Sequence, residues 1–173
     1  MDKYGLVHDK LDIKILILYI LNRLPDLVDE STLAELCQCD AGVGYFDYAE
    51  CLSELVDTGH VYVSGGKYAS TEKGRRNGTT IESSIPYTVR VKAEKALAPV
   101  AQDMRRRAMI TASHTVDGNG SIAVTLGMSD GVSDVIAVQL LVPDEVTANT
   151  IEKNFRADAE GLYGKIMSLL IQE

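Results

Sequence analysis

The run from residue 11 to 24 (LDIKILILYILNRL) constrains the fold more than any other stretch of this chain. Leu11, Ile13, Ile15, Leu16, Ile17, Leu18, Ile20, Leu21 and Leu24 place apolar side chains on nearly every side of the helix it predicts. A helix without a polar face must be buried by more than one neighbour. Its uncharged core, Ile15 to Leu21, is flanked by Lys10, Asp12, Lys14 and Arg23. That core is far shorter than the roughly 20 residues needed to span a bilayer. Acids at Asp2, Asp9 and Asp12 come first, and Pro25 follows. A secretory leader would begin with basic residues. The expectation is a buried helix in a cytoplasmic protein with no membrane association.

The rest of the N-terminal half is punctuated by caps and turns. Ser31 or Thr32 caps a second helix, which runs to about Gln38; with Thr32 as the cap, Glu35 completes a capping box. Asp40 and Gly42 mark a turn, and a third helix over 44–58 ends at Gly59. Residues 60–71 (HVYVSGGKYAST) carry two short alternating runs around Gly65-Gly66, a β-hairpin signal. Thr71 caps a fourth helix, which Gly74 and Gly78 make short or irregular. Residues 79–86 read as a linker.

A basic helix follows over about 87–107, interrupted by Pro99. Three strands are expected at 109–116, 121–127 and 134–142, with tight turns at Asp117-Gly118-Asn119-Gly120 and Ser129-Asp130-Gly131. Connections this short demand antiparallel neighbours. One long helix over 144–171 closes the chain, with Gly161 and Gly164 as places for a kink. The class is α+β: a helical N-terminal part, then a small antiparallel three-stranded sheet packed with helices.

Three helices, a hairpin and a fourth helix, in that order, are the order of a winged helix-turn-helix. The predicted organisation is a winged helix-turn-helix domain over 1–80, a basic linker helix over 81–108 and a βββα domain over 109–173. In such folds the third helix enters the major groove. The end of the hairpin, Tyr68-Ala69-Ser70-Thr71-Glu72-Lys73-Gly74-Arg75, resembles the end of the wing in PadR-type and MarR-type bacterial regulators. Those families more often carry Leu where Ser70 stands. Three runs resemble an uncharacterised Gram-positive bacterial family: Lys10 to Leu21, Tyr45-Phe46-Asp47-Tyr48, and Thr71 to Gly78. That family is a domain of unknown function with a predicted winged-helix start. The resemblance implies a fold and a regulator-like role and implies no reaction.

Charge bears on that role. The 173 residues hold 17 Lys and Arg against 25 Asp and Glu, a net charge of −8. Residues 1–80 carry 8 basic and 13 acidic side chains, residues 81–110 carry 6 and 3, and residues 111–173 carry 3 and 9. The third helix has no Lys or Arg, and Asp47, Glu50, Glu54 and Asp57 line one of its faces. Arg, Lys, Asn and Gln dominate base reading, so this face is a poor reader. It is open to three readings: a solvated face, a dock for a basic protein partner, or a base-reading surface. Ala49, Leu52, Leu55 and Val56 form the core side, with Phe46 at its border and Tyr45 and Tyr48 toward the core.

Positive charge collects at Lys67, Lys73, Arg75 and Arg76, then at Arg90 and Arg105, Arg106 and Arg107. These bases form a phosphate-contacting stripe, or they pair with acids of the flanking regions. The leading expectation is a transcriptional-regulator-like protein that contacts double-stranded DNA mainly through phosphates. The alternative is a protein-interaction module using the acidic third-helix face without binding DNA. A sheet this thin and a helix this apolar suggest a homodimer.

No chemistry is signalled. His8, His60 and His114 are scattered, and no G-x-S-x-G, P-loop or H-E-x-x-H is present. Cys37, Cys39 and Cys51, with His60 the one nearby histidine, lack the paired spacing of a zinc site. They read as reduced, partly buried thiols. Neither an enzyme nor a cofactor is expected.

Overall fold

Helix α1 (Lys10–Leu21) is enclosed on all sides: every residue from Ile15 to Leu21 is buried, together with Ile13. Asp9 caps it by accepting a hydrogen bond from the Asp12 N–H. Helix geometry ends at Leu21, although Asn22, Arg23 and Leu24 still bond back to Leu18 and Ile20. The computed structural model describes residues 6, 7 and 9–171, and the chain divides after Met104 into two units. The protein is α+β, with the N-terminal helices preceding an antiparallel sheet.

In the first unit, α1 is followed by β1 (Val28–Asp29), α2 (Glu30–Cys37), α3 (Tyr45–Asp57), β2 (Val61–Ser64), β3 (Lys67–Ser70) and α4 (Glu72–Ile81). A single turn of 3-10 helix (Glu82–Ser84) leads into α5 (Tyr87–Ala108). Helix α2 is capped by Asp29, whose carboxylate accepts from the Thr32 N–H, so Ser31 and Thr32 lie inside the helix. The Asp29 side chain also accepts from the Ser31 and Thr32 hydroxyls, which together hold its pKa down to about 2. The hairpin β2–β3 turns at Gly65 and Gly66, with φ of 56° and 76°. Strand β1 pairs with β3 and extends the hairpin to three strands in the order β1-β3-β2. Two residues are too short to show a period in the sequence.

The glycines of α4 bring it against α1. A Cβ on Gly74 would lie 2.0 Å from the His60 carbonyl oxygen, and one on Gly78 would lie 2.7 Å from Asn22 Nδ2 and 3.1 Å from Leu18 Cβ. The helix is therefore regular to Ile81, and no linker begins at residue 79. Pro99 does not interrupt α5. It stands on an exposed side, next to water that can take the carbonyl it leaves unbonded. Val89, Ala93, Leu97 and Ala101 form the buried face of α5 in the N-terminal core.

Asp40 fastens this unit. Its buried side chain accepts from the N–H groups of Leu6 (2.8 Å), Val7 (3.3 Å) and Gly42 (3.1 Å), and from Lys92 Nζ on α5 (3.4 Å). Burial alone would raise its pKa, and these donors hold it below the ordinary carboxylate range. Arg23 is the second fastening. It reaches Glu94 at 2.6 Å and Glu82 at 3.2 Å, and it lies 3.5 Å over the Tyr19 ring. Burial and a bond to Glu94 push the Tyr19 phenol up to about 12.

The second unit contains β4 (Ile110–Val116), β5 (Ile122–Ser129) and β6 (Asp134–Val142), paired in that order. Ala112, Ile122, Val124 and Leu126 are buried under α6 (Glu145–Ala157), whose Ala148 and Phe155 complete this core. His114 Nδ1 meets Glu152 Oε1 at 2.6 Å, and Arg156 donates to the Ala112 carbonyl. The closing helix is broken in two. Asp158 leaves helical geometry (φ −150°, ψ 58°), and α7 runs from Ala159 to Ile171. The break lies ahead of both glycines, because Asp158 turns back to accept from the Gly161 N–H and so caps α7.

Two changes test these contacts. Gly74→Ala should destabilise the chain by about 3 kcal/mol in urea unfolding, whereas Gly118→Ala, which meets open space, should have little effect. Asp40→Ala should cost about 2–3 kcal/mol at pH 7 by stranding its donors. Because the folded pKa is depressed, the carboxylate's contribution is complete above the unfolded value of about 4. It is lost as pH falls through the lower folded value, so wild type and variant should converge in stability in acid.

Candidate functional site

The residues singled out in the sequence lie on the exposed face of α3, in the segment from the hairpin through α4, and on α5. Helix α3 is anchored by Tyr48, Cys51, Leu52 and Leu55, all buried. Gly44 caps it without a side-chain hydrogen bond. Glu50 is paired with Lys10 and Glu54 with Lys14, both bases standing on α1. The pairing raises the pKa of each lysine and lowers that of Glu54. Asp47 and Asp57 have no such partner among the described residues. The acidic face thus divides into two neutralised members and two free ones.

The aromatic residues of α3 depart from the sequence expectation. Tyr48 is fully buried, while Tyr45 is 53% and Phe46 86% exposed. Tyr45 lies one turn before Tyr48, on the core side by spacing, yet it opens the helix. Helical side chains lean toward the N-terminus, so at the first position they reach past the packed core. Tyr45 and Phe46 meet edge to face with centroids 6.0 Å apart. The result is an uncovered aromatic pair beside Asp47. The start of α3 at Tyr45 is the signal that would have found it.

The basic residues fall into distinct settings. Lys67, at the start of β3, and Arg75, on α4, are exposed with no acidic partner among the described residues. Lys73 donates to the Thr58 carbonyl at 2.7 Å, which satisfies the C-terminal end of α3. Arg76 reaches Glu72 at 3.5 Å on a fully open surface. The Arg90 guanidinium lies 5.9 Å from the Tyr87 ring, and its Nε is buried with no hydrogen-bond partner among the described residues. Arg106 lies 3.7 Å from Glu160 in the second unit, beside Arg105 and Arg107 on the last turn of α5. Lys73, Arg76 and Arg106 therefore hold a helix end or share charge locally, and Lys67 and Arg75 are left for other contacts.

Cys37 and Cys51 are buried free thiols and Cys39 is partly buried, with burial raising the pKa of all three. His60 is held at both ring nitrogens, by Thr58 Oγ1 at 2.8 Å and Asn77 Nδ2 at 2.9 Å. Burial and the nearby Lys73 lower its pKa. It borders a cavity of about 230 Å³ whose floor includes Leu11, Ile15, Leu18 and Leu55. Ser70 is 3% exposed, and its hydroxyl has no hydrogen-bond partner among the described residues.

Three substitutions separate surface from core. Phe46→Ala should change stability by less than about 0.5 kcal/mol, while Tyr48→Ala should cost about 3–5 kcal/mol. Ser70→Ala should stabilise the fold by up to about 1 kcal/mol by removing an unsatisfied hydroxyl. Thermal unfolding checks all three.

No helix of the described residues is long and apolar enough to cross a membrane. No curated protein and no solved structure matches the chain. A family described as a domain of unknown function (DUF4364) matches residues 13–170. That match takes in both units, from α1 to the last turns of α7, and the chain belongs to this family.

Proposed function

We propose that the first unit is a winged helix of the transcriptional-regulator type that holds duplex DNA through its phosphates. In this reading β2 and β3 form the wing and α4 its support. One observation carries the proposal: Lys67 in the hairpin and Arg75 on α4 stand exposed with no acidic partner among the described residues. The pairing of Glu50 with Lys10 and of Glu54 with Lys14 supports it, because it removes half of the repulsion that α3 would offer to phosphates. Asp47 and Asp57 remain, so α3 contributes little base reading. Arg76, Arg90 and Arg105 to Arg107 are secondary contacts, and Lys73 acts by holding the end of α3.

Salt dependence tests this reading. Fluorescence anisotropy with a duplex of mixed sequence should show binding at low salt that weakens steeply as salt is added. Each phosphate contact adds about 0.9 to the slope of log affinity against log salt. Lys67→Ala with Arg75→Ala should therefore lower the slope by about 2 and weaken all sequences alike. Absence of binding at low salt would overturn the proposal.

A second reading has its own observation. Phe46, 86% exposed beside Tyr45 and Asp47, has the form of an aromatic anchor with an acidic rim. It fits a basic protein partner bound by α3 without DNA. Phe46→Ala would then abolish partner capture, and the wild-type chain would show no duplex binding even at low salt.

A further inference from the structure

The second unit has two uncovered apolar features, and we propose that both are covered by a second copy of the same chain. The first is strand β6, one edge of the three-stranded sheet. Its outer backbone groups meet no hydrogen-bond partner among the described residues. The opposite edge is blunted: Arg156 of α6 donates to the Ala112 carbonyl of β4, and Glu152 holds His114. Strand β6 carries neither Lys, Arg nor Pro, the residues by which exposed edges usually discourage pairing. Leu140 and Leu141 on it are 42% and 78% exposed.

The second feature is α7. It has 13 residues and only Ala159 is buried. Leu162, Ile166, Leu169 and Leu170 recur at the spacing of one helix face, and Leu169, Leu170 and Ile171 are 70%, 75% and 69% exposed. A helix this short is marginal in water without a packed face. Helix α6 lies over β4 and β5, and a cavity of about 380 Å³ opens beside Leu126, Phe155 and Leu162. The inner face of β6 is thus left partly open where a helix would fit.

Self-pairing answers both features with one operation. Two β6 strands pairing antiparallel across a two-fold axis would extend the sheet to six strands, and each α7 would cover the seam. Charge selects this arrangement. The single charged residue of β6 is Asp134 at its start, so antiparallel pairing carries the two carboxylates to opposite ends of the seam. Such a seam would bury Leu140 on the inner side of β6 together with Leu162, Ile166, Leu169 and Leu170 on one side of α7, along with the edge backbone of β6.

Light scattering on the full chain at about 10 µM tests the proposal. The expected mass is twice the 18.8 kDa of one chain. Leu141→Lys and Leu170→Glu, both at exposed positions, should each give a monomer with an unchanged far-UV circular dichroism spectrum. A monomeric wild type would overturn the proposal, as would a dimer that both folded variants leave intact. Should either variant fail to fold, hydrogen exchange on the wild type decides. Outer-edge amides of β6 that become protected with rising protein concentration support the dimer. Protection independent of concentration, from another part of the same chain or a different partner, overturns it.

Discussion

Burial of α1 is the constraint on which the first unit depends. Its apolar residues satisfy every neighbour at once: α2 and α3 on some sides, α4 and the segment before α5 on others. Each fully buried Ile or Leu contributes about 1.5–3 kcal/mol relative to exposure. The neighbours have adapted to it. Helix α4 approaches through Gly74 and Gly78, where any larger side chain would meet the His60 carbonyl or Asn22. The charged groups of α1 lie in its N-terminal half, where Lys10 and Lys14 meet the acids of α3, and Arg23, just past its last residue, meets Glu82 and Glu94. The helix that builds the core thereby sets the charge of the face beside it.

Much of this was legible in the residues. The central helix, the hairpin at Gly65-Gly66 and the three antiparallel strands follow from apolar run length, turn chemistry and alternation. What escaped depends on tertiary contact. Gly74 and Gly78 weaken a helix by propensity, yet here they permit close packing that steadies it. Asp29 competes with Ser31 and Thr32 as a cap, and all three are good capping residues, so only the bonds decide. Asp158 breaks the last helix although Gly161 and Gly164 look weaker, because its carboxylate folds back on the Gly161 N–H.

The site was half legible for the same reason. Spacing places Asp47, Glu50, Glu54 and Asp57 on one face, and it cannot reveal that α1 supplies a lysine to each of the two glutamates. Nor can a count of bases tell Lys73, which holds the C-terminal end of α3, from Arg75, which has no acidic partner among the described residues. A net charge of −8 therefore says little about nucleic acid. The proposed contact rests on a few uncommitted cations in the hairpin and α4. A dimer through β6 and α7 would join two such segments in one particle and raise the effective concentration of the second for a shared duplex.

An amide chemical-shift titration of the full chain with a mixed-sequence duplex at low salt is the most direct measurement of where contact falls. The proposed function predicts shifts concentrated in Val61–Ser70 and Glu72–Ile81, with Tyr45–Asp57 little changed. Shifts concentrated on Tyr45–Asp57, or none anywhere, would contradict it.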